Sequence, residues 1–339
     1  MKKIVELPLV EPLYKTYHDG IFSAIIAKNP SIRNWFLCNS IILTCSREFL
    51  SGLTTPLLRI ETYGFNNTHI EMDWVSTQFL GGYINPLIRN YIDEGYYIYF
   101  IGVDDYYIPG KSWYRERHFN HDGAICGYNQ IDKTYCMYAY DSNWIYQKFW
   151  TPQKAFNRGR EAMVKKGACA DICAIKPKLD EVVFSRETAL KNLEEYLNSD
   201  NEKHPKAGEG NARGIIVHEY IAMYIDKLLD DSIPYERMDK RIFRLIWEHK
   251  KVMLELISRI EESLEMDDEI SRRYGALVAE ADAMRMLYAA HHMKRRDSLL
   301  PIIKNKLLLV MKCEQELLTL LVKKAKEVSG DDAVEPSEK

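Results

Sequence analysis

The sequence predicts an α+β protein, with helices and antiparallel strands first and an α-helical bundle after them. Three observations carry this. Up to about residue 150 the chain is aromatic, rich in β-branched residues and punctuated by turn signals; beyond about 180 it turns to Leu, Glu, Lys and Arg at helical spacing. Of its 22 Tyr, thirteen fall between Tyr83 and Tyr146. The 339 residues are 46% hydrophobic, enough for one large or two medium folded domains.

Taken in order, residues 31–52 read as a helix, since Ile41, Ile42, Cys45 and Phe49 recur at three- and four-residue steps and Gly52 supplies a stop. A shorter helix follows at 85–95, with Asn85 as cap, Pro86 in its first turn and Gly95 as terminator. Residues 96–103, 121–128 and 134–141 read as strands, the last two joined as a hairpin by Asn129–Lys133. Residues 151–167 suit a basic helix and 169–177 a strand ending at Pro177. A capping pattern at Ser185 opens another helix, 201–214 is a polar loop, and long helices follow at about 215–231, 234–264, 267–295 and 297–328. The last is apolar over more of its circumference, which places it at the bundle centre or in a homo-oligomer interface. The expected division is 1–180, 181–328 and a disordered tail at 329–339.

Composition excludes several functions. A formal charge of −3 carries no polybasic signature, so neither nucleic acid nor an anionic membrane is expected as partner. No run of ~18 apolar residues suggests a membrane span, and the N-terminus lacks the apolar core of a signal peptide. Seven scattered Cys suit reduced thiols in a cytoplasmic protein. Cys169 and Cys173 lack a second ligand pair, so no metal is expected, and without Walker or dinucleotide motifs no cofactor is implied.

The chemistry concentrates between Gly102 and Trp144. His121 opens one hairpin strand and Asp141 closes the other, so a short connection makes them neighbours at one rim of the sheet. A carboxylate beside an imidazole fixes its tautomer and favours a general base. Cys38, just before or at the start of the run Asn39–Cys45, is the candidate nucleophile, because unpaired N–H groups at a helix start favour a thiolate.

These stretches, "VDDYYIP", "WY", "RHFNHDGAICGYN" and "YAYD", resemble the N-terminal domain of the butirosin biosynthesis protein H family, over roughly residues 20–150. The resemblance implies a papain-like N-terminal domain in 1–180 and an acyltransferase of antibiotic or nonribosomal-peptide biosynthesis. It would move an acyl group from a carrier protein's phosphopantetheine thioester to a small amine. On this reading Cys38 attacks, His121 moves the proton and Asp141 holds His121. Tyr106, Tyr107, Tyr114, His118 and Asp105 would contact substrate, and the amides of Asn34 and Asn39 are the oxyanion candidates. A non-catalytic assembly protein with a degenerate site, and a cysteine peptidase or thioesterase, remain as alternatives.

Overall fold

A computed structural model describes residues 3–15, 24–25, 30–52, 54–61, 70–178, 183–198 and 210–329. The chain divides into two compact units that interleave in sequence: Met1–Arg33 with Gly64–Glu181, and Asn34–Tyr63 with Val182–Lys339. A break falls at Glu181–Val182, next to the expected boundary, but residues 34–63 group with the later helices rather than with the first sheet, so the first unit is not the expected continuous 1–180.

The mixed unit is built on a seven-stranded antiparallel sheet. Its strands are β1 (Ile4–Glu6), β4 (Ile70–Val75), β5 (Tyr97–Asp104), β6 (Asn120–Asn129), β7 (Thr134–Tyr140), β8 (Tyr146–Pro152) and β9 (Ile172–Pro177). They run in the order β4-β9-β5-β6-β7-β8, with β1 also on β6. The expected β6–β7 hairpin forms, pairing Asn129 with Thr134 and, past a bulge, Ala124 with Tyr138. Two of the described helices pack on this sheet. In α2 (Ile84–Asp93), Ile84, Ile88 and Ile92 lie one helical turn apart and pack with Ile98, Phe100, Ile125 and Met137. Gly95 ends that helix at φ +88°, as expected, but Asn85 lies inside it and accepts from Tyr135 Oη at 2.7 Å instead of capping. The helix α3 (Gln153–Lys165) sends Phe156 into the same core.

Two glycines set the end of β5. Gly102 has φ +74°, and a Cβ there would stand 1.7 Å from the Cys169 carbonyl oxygen. Gly159 lets α3 lie so close that a Cβ would meet Asp104 O at 3.0 Å. Larger residues at either position would push apart the elements that hold Asp104 and Asp105.

The expected 31–52 helix is three elements, α1 (Pro30–Asn39), β2 (Ile42–Ser46) and a 3₁₀ turn Glu48–Ser51, of which the part from Asn34 onward belongs to the helical unit. Ile41, Ile42 and Leu43 are buried, and a run that includes the β-branched Ile41, Ile42 and Thr44 suits a strand; β2 pairs with β3 (Arg59–Glu61) and β10 (Asn211–Arg213). Arg213 ties this small sheet to Glu61 at 2.5 Å and to Glu195 at 2.7 Å. Most of the expected 201–214 loop and the tail beyond 329 lie outside the described residues. The helices α4 (Arg186–Asn198), α5 (Val217–Leu229), α6 (Ile242–Ser263), α7 (Glu269–Lys294) and α8 (Leu299–Ser329) match the expected series, and Ser185 caps α4 by accepting from Thr188 N at 3.2 Å.

These helices converge on one buried carboxylate. Glu314 of α8 accepts from Lys250 of α6 at 2.6 and 2.8 Å, from Tyr196 of α4 at 2.9 Å, and from Tyr274 of α7. His218 of α5 donates from Nδ1 to Ile215 O at 2.8 Å and turns Nε2 toward Glu314 at 3.7 Å. His249 donates from Nε2 to Ile41 O at 2.7 Å, with Nδ1 3.3 Å from Lys250 Nζ. Burial pushes the His218 pKa down to about 4 and that of His249 to about 3. Burial would raise Glu314, but Lys250 outweighs it and brings the carboxyl to about 2.

Both histidines therefore fold neutral, whereas an unfolded chain takes up protons as the pH falls through about 6.5. The histidine contribution is full above that value and is lost from about pH 6.5 down toward 4 for His218 and 3 for His249, with the Glu314 contribution fading below about 4.5. Urea unfolding at pH 7 and pH 5 checks this: the histidines should cost about 2 kcal/mol each at pH 5, and His218→Gln should shrink the loss. At pH 7, Glu314→Gln should destabilise by about 3–5 kcal/mol by stranding Lys250, and the double change Lys250→Met/Glu314→Leu should destabilise less.

Candidate acid–base site

The site grows from the point where β5 ends. Asp104 closes the strand in extended backbone, and Asp105 opens a 3₁₀ turn, Asp105–Tyr107, so the two neighbouring carboxylates diverge. Asp104 Oδ1 accepts from the N–H groups of Tyr106 and Phe119 at 3.2 and 3.1 Å, and Oδ2 pairs with His118 Nδ1 at 2.7 Å and Lys166 Nζ at 3.3 Å. Burial raises its pKa, but His118, the two backbone donors and Lys166 outweigh burial, so the carboxyl sits below its ordinary range.

Asp105 Oδ2 lies 2.8 Å from His121 Nδ1. Lys111 Nζ stands 3.2 Å from the same nitrogen and 3.7 Å from Asp105 Oδ1. An ammonium can only donate and an ionised carboxylate only accept, so the shorter contact decides the tautomer: Nδ1–H donates to Asp105, and Lys111 balances the carboxylate's charge. Burial pushes the Lys111 pKa down, against the attraction of Asp105 and Asp122. Nε2 of His121 is left as the proton acceptor, on a side chain 24% exposed.

Asp141 is not the partner of His121. Its Oδ1 accepts from the N–H groups of Asn143 and Ile145 at 2.8 and 2.9 Å, and its Oδ2 from Gln147 Nε2 at 2.6 Å. It is the cap of the turn between β7 and β8. Hairpin register alone brought His121 and Asp141 to the same rim, but the turn backbone offered Asp141 stronger partners.

Cys38 also departs from expectation. It sits at the C-terminal end of α1, where the helix dipole opposes a thiolate, and it belongs to the helical unit while His121 belongs to the mixed one. The buried thiol donates to Ser185 O at 3.5 Å, Asn192 Nδ2 donates to the Cys38 carbonyl at 2.7 Å, and burial pushes the pKa up to about 11. These are the surroundings of a packing cysteine. Asn34 lies on the same helix, and Asn39 spends its amide on Trp35 O at 2.8 Å.

Tyr106 and Tyr107 wall His118 rather than His121. Tyr106 stacks on the His118 ring at 4.3 Å, Tyr107 lies 6.1 Å from it, and Arg158 of α3 covers Tyr107. Tyr114 lies under Arg115, with ring and guanidinium 5.1 Å apart. The ring beside His121 is Phe119, which sequence reasoning passed over together with Lys111. Tandem Asp104-Asp105 and His118-x-x-His121 together were the readable signal of two parallel pairs.

Among the described residues no group of His, Cys, Asp and Glu could hold a metal ion, and no helix is long and apolar enough to cross a membrane. Compared with known proteins, the chain matches no protein-family model and no curated protein. Thiol chemistry checks the reassignment of Cys38. Under native conditions iodoacetamide should alkylate the exposed Cys169 at least about tenfold faster than Cys38, read by peptide mass spectrometry. Equal rates would contradict the buried setting.

Proposed function

We propose that His121, held by Asp105, is the general base of an acyl transfer carried out on the mixed unit. The supporting observation is the imidazole fixed at Nδ1 by a buried carboxylate, on a side chain that stays 24% exposed. The acyl donor is a thioester, such as a phosphopantetheine arm on a carrier protein, and the acceptor is a small amine. As the amine nitrogen attacks the thioester carbonyl, Nε2 takes its proton. The C–S bond then breaks, and the departing thiolate takes that proton from the imidazolium, giving an amide and a free thiol. No cysteinyl intermediate is needed, which accommodates the setting of Cys38. The link to antibiotic or nonribosomal-peptide synthesis, and to a papain-like ancestry, rests on the resemblance of roughly residues 20–150 to the N-terminal domain of the butirosin biosynthesis protein H family.

A second reading, a non-catalytic assembly protein with a degenerate papain-like site, is favoured by one observation: the buried Cys38 thiol with its pKa raised to about 11. One assay separates the two. Transfer from acyl-pantetheine thioesters to a panel of amines is followed by mass spectrometry for the protein, Cys38→Ala and His121→Gln. On the acyl-transfer reading Cys38→Ala keeps its rate and His121→Gln loses about 10²–10⁴-fold. Loss of activity in Cys38→Ala would restore the cysteine mechanism. Absence of turnover across the panel would favour the assembly protein.

A further inference from the structure

A run of aromatic rings leads away from His121 within the mixed unit. Phe119 meets the imidazole edge to face, with centroids 5.4 Å apart. Trp113 follows Phe119 at 6.4 Å, and Trp144 stands edge-on to Trp113 at 6.2 Å. Core aromatics are covered by neighbours, yet Phe119 is 38% and Trp144 57% exposed. Trp144 also adopts φ +60°, a left-handed conformation that bulky side chains rarely take and that persists only when its surroundings enforce it.

The enforcement is visible. Asp141 gathers the N–H groups of Asn143 and Ile145 on either side of Trp144, and the Trp144 N–H donates to the Asp141 carbonyl at 3.1 Å. Ser112 Oγ donates to that same carbonyl at 3.1 Å, fastening the Trp144 turn to the segment that carries Trp113. A hydrogen-bonded turn thus holds an exposed indole in an unfavourable backbone conformation, at the end of a ring series that starts on the proposed base.

From this arrangement we infer that Phe119, Trp113 and Trp144 form a subsite for a flat aryl group on the acyl substrate. Offset and edge-on rings leave π faces that a further ring can meet, whereas an aliphatic chain gains only contact area from them. The Arg117 guanidinium, 5.6 Å from the Trp113 ring centre, adds a cation that favours an electron-rich ring. Asp141 then becomes a positioning residue, acting through Trp144 rather than through His121. The inference rests on the reading of His121 as the reacting base.

Binding without turnover tests it. The probe is N-acetyl-N′-(2-naphthoyl)ethylenediamine, the amide counterpart of a naphthoyl thioester, compared with its octanoyl analogue by calorimetry. The naphthoyl probe should bind saturably to the protein and to His121→Gln, and at least about tenfold more weakly to Trp144→Gly. Glycine accommodates the left-handed turn, so that variant should fold, and Trp144→Phe should recover most of the affinity. No saturable binding, equal binding by Trp144→Gly, or octanoyl binding as tight as naphthoyl would overturn the subsite. The two readings fail separately. Naphthoyl binding without any transfer leaves the subsite and removes the base; transfer that needs His121 but ignores Trp144 does the reverse.

Discussion

Adjacent carboxylates with two different partners are the constraint on which the mixed unit's site depends. In a continuing strand Asp104 and Asp105 would point to opposite faces, one of them into the core. The strand instead stops between them. Asp104 keeps its extended backbone and turns to His118 and Lys166, while Asp105 enters the 3₁₀ turn and reaches His121 and Lys111. The backbone position that allows this is set nearby, by the close approach of Cys169 to Gly102 and of α3 to Asp104 across Gly159. Buried acids of this kind persist only when each has cationic or N–H partners, and both do.

The helical unit solves a similar problem with one acid rather than two. Glu314 lies at the middle of the last helix, and α4, α6 and α7 each send a hydrogen-bond donor to it. Such a network contributes little net stability compared with apolar packing, but it penalises misregistered helices heavily, since any slip strands a buried charge. The two neutral histidines beside it give this unit its acid sensitivity.

Much of the scaffold was legible in the sequence because periodicity reports burial. The short helix ending at Gly95, the β6–β7 hairpin and the long C-terminal helices all appear as read. Residues 31–52 misled because Ile41, Ile42 and Cys45 satisfy helical spacing while Ile42 and Cys45 lie in a short buried strand and Ile41 just before it, an ambiguity that short apolar runs carry by nature. In the site, the sequence points to His121 and the rim, but it names Asp141 instead of Asp105 as the carboxylate partner. Hairpin register nominated Asp141, whereas the choice was made by local backbone donors that only the turn geometry reveals. The thirteen tyrosines divide in the same way. Tyr97, Tyr128 and Tyr135 are sheet packing, Tyr106 and Tyr107 surround His118, and the rings that reach out from His121 belong to Phe119 and tryptophans.

The proposed acyl transfer turns on which nitrogen of His121 carries the proton and which acid receives it. A two-bond ¹H–¹⁵N correlation spectrum of the histidine-labelled protein at neutral pH measures this directly, with His121 assigned by its absence in His121→Gln. The Asp105 contact at Nδ1 implies a protonated Nδ1 and an unprotonated Nε2, with a pattern unchanged in Asp141→Asn. A His121 protonated at Nε2 alone, or a tautomer that shifts when Asp141 is replaced, would contradict it.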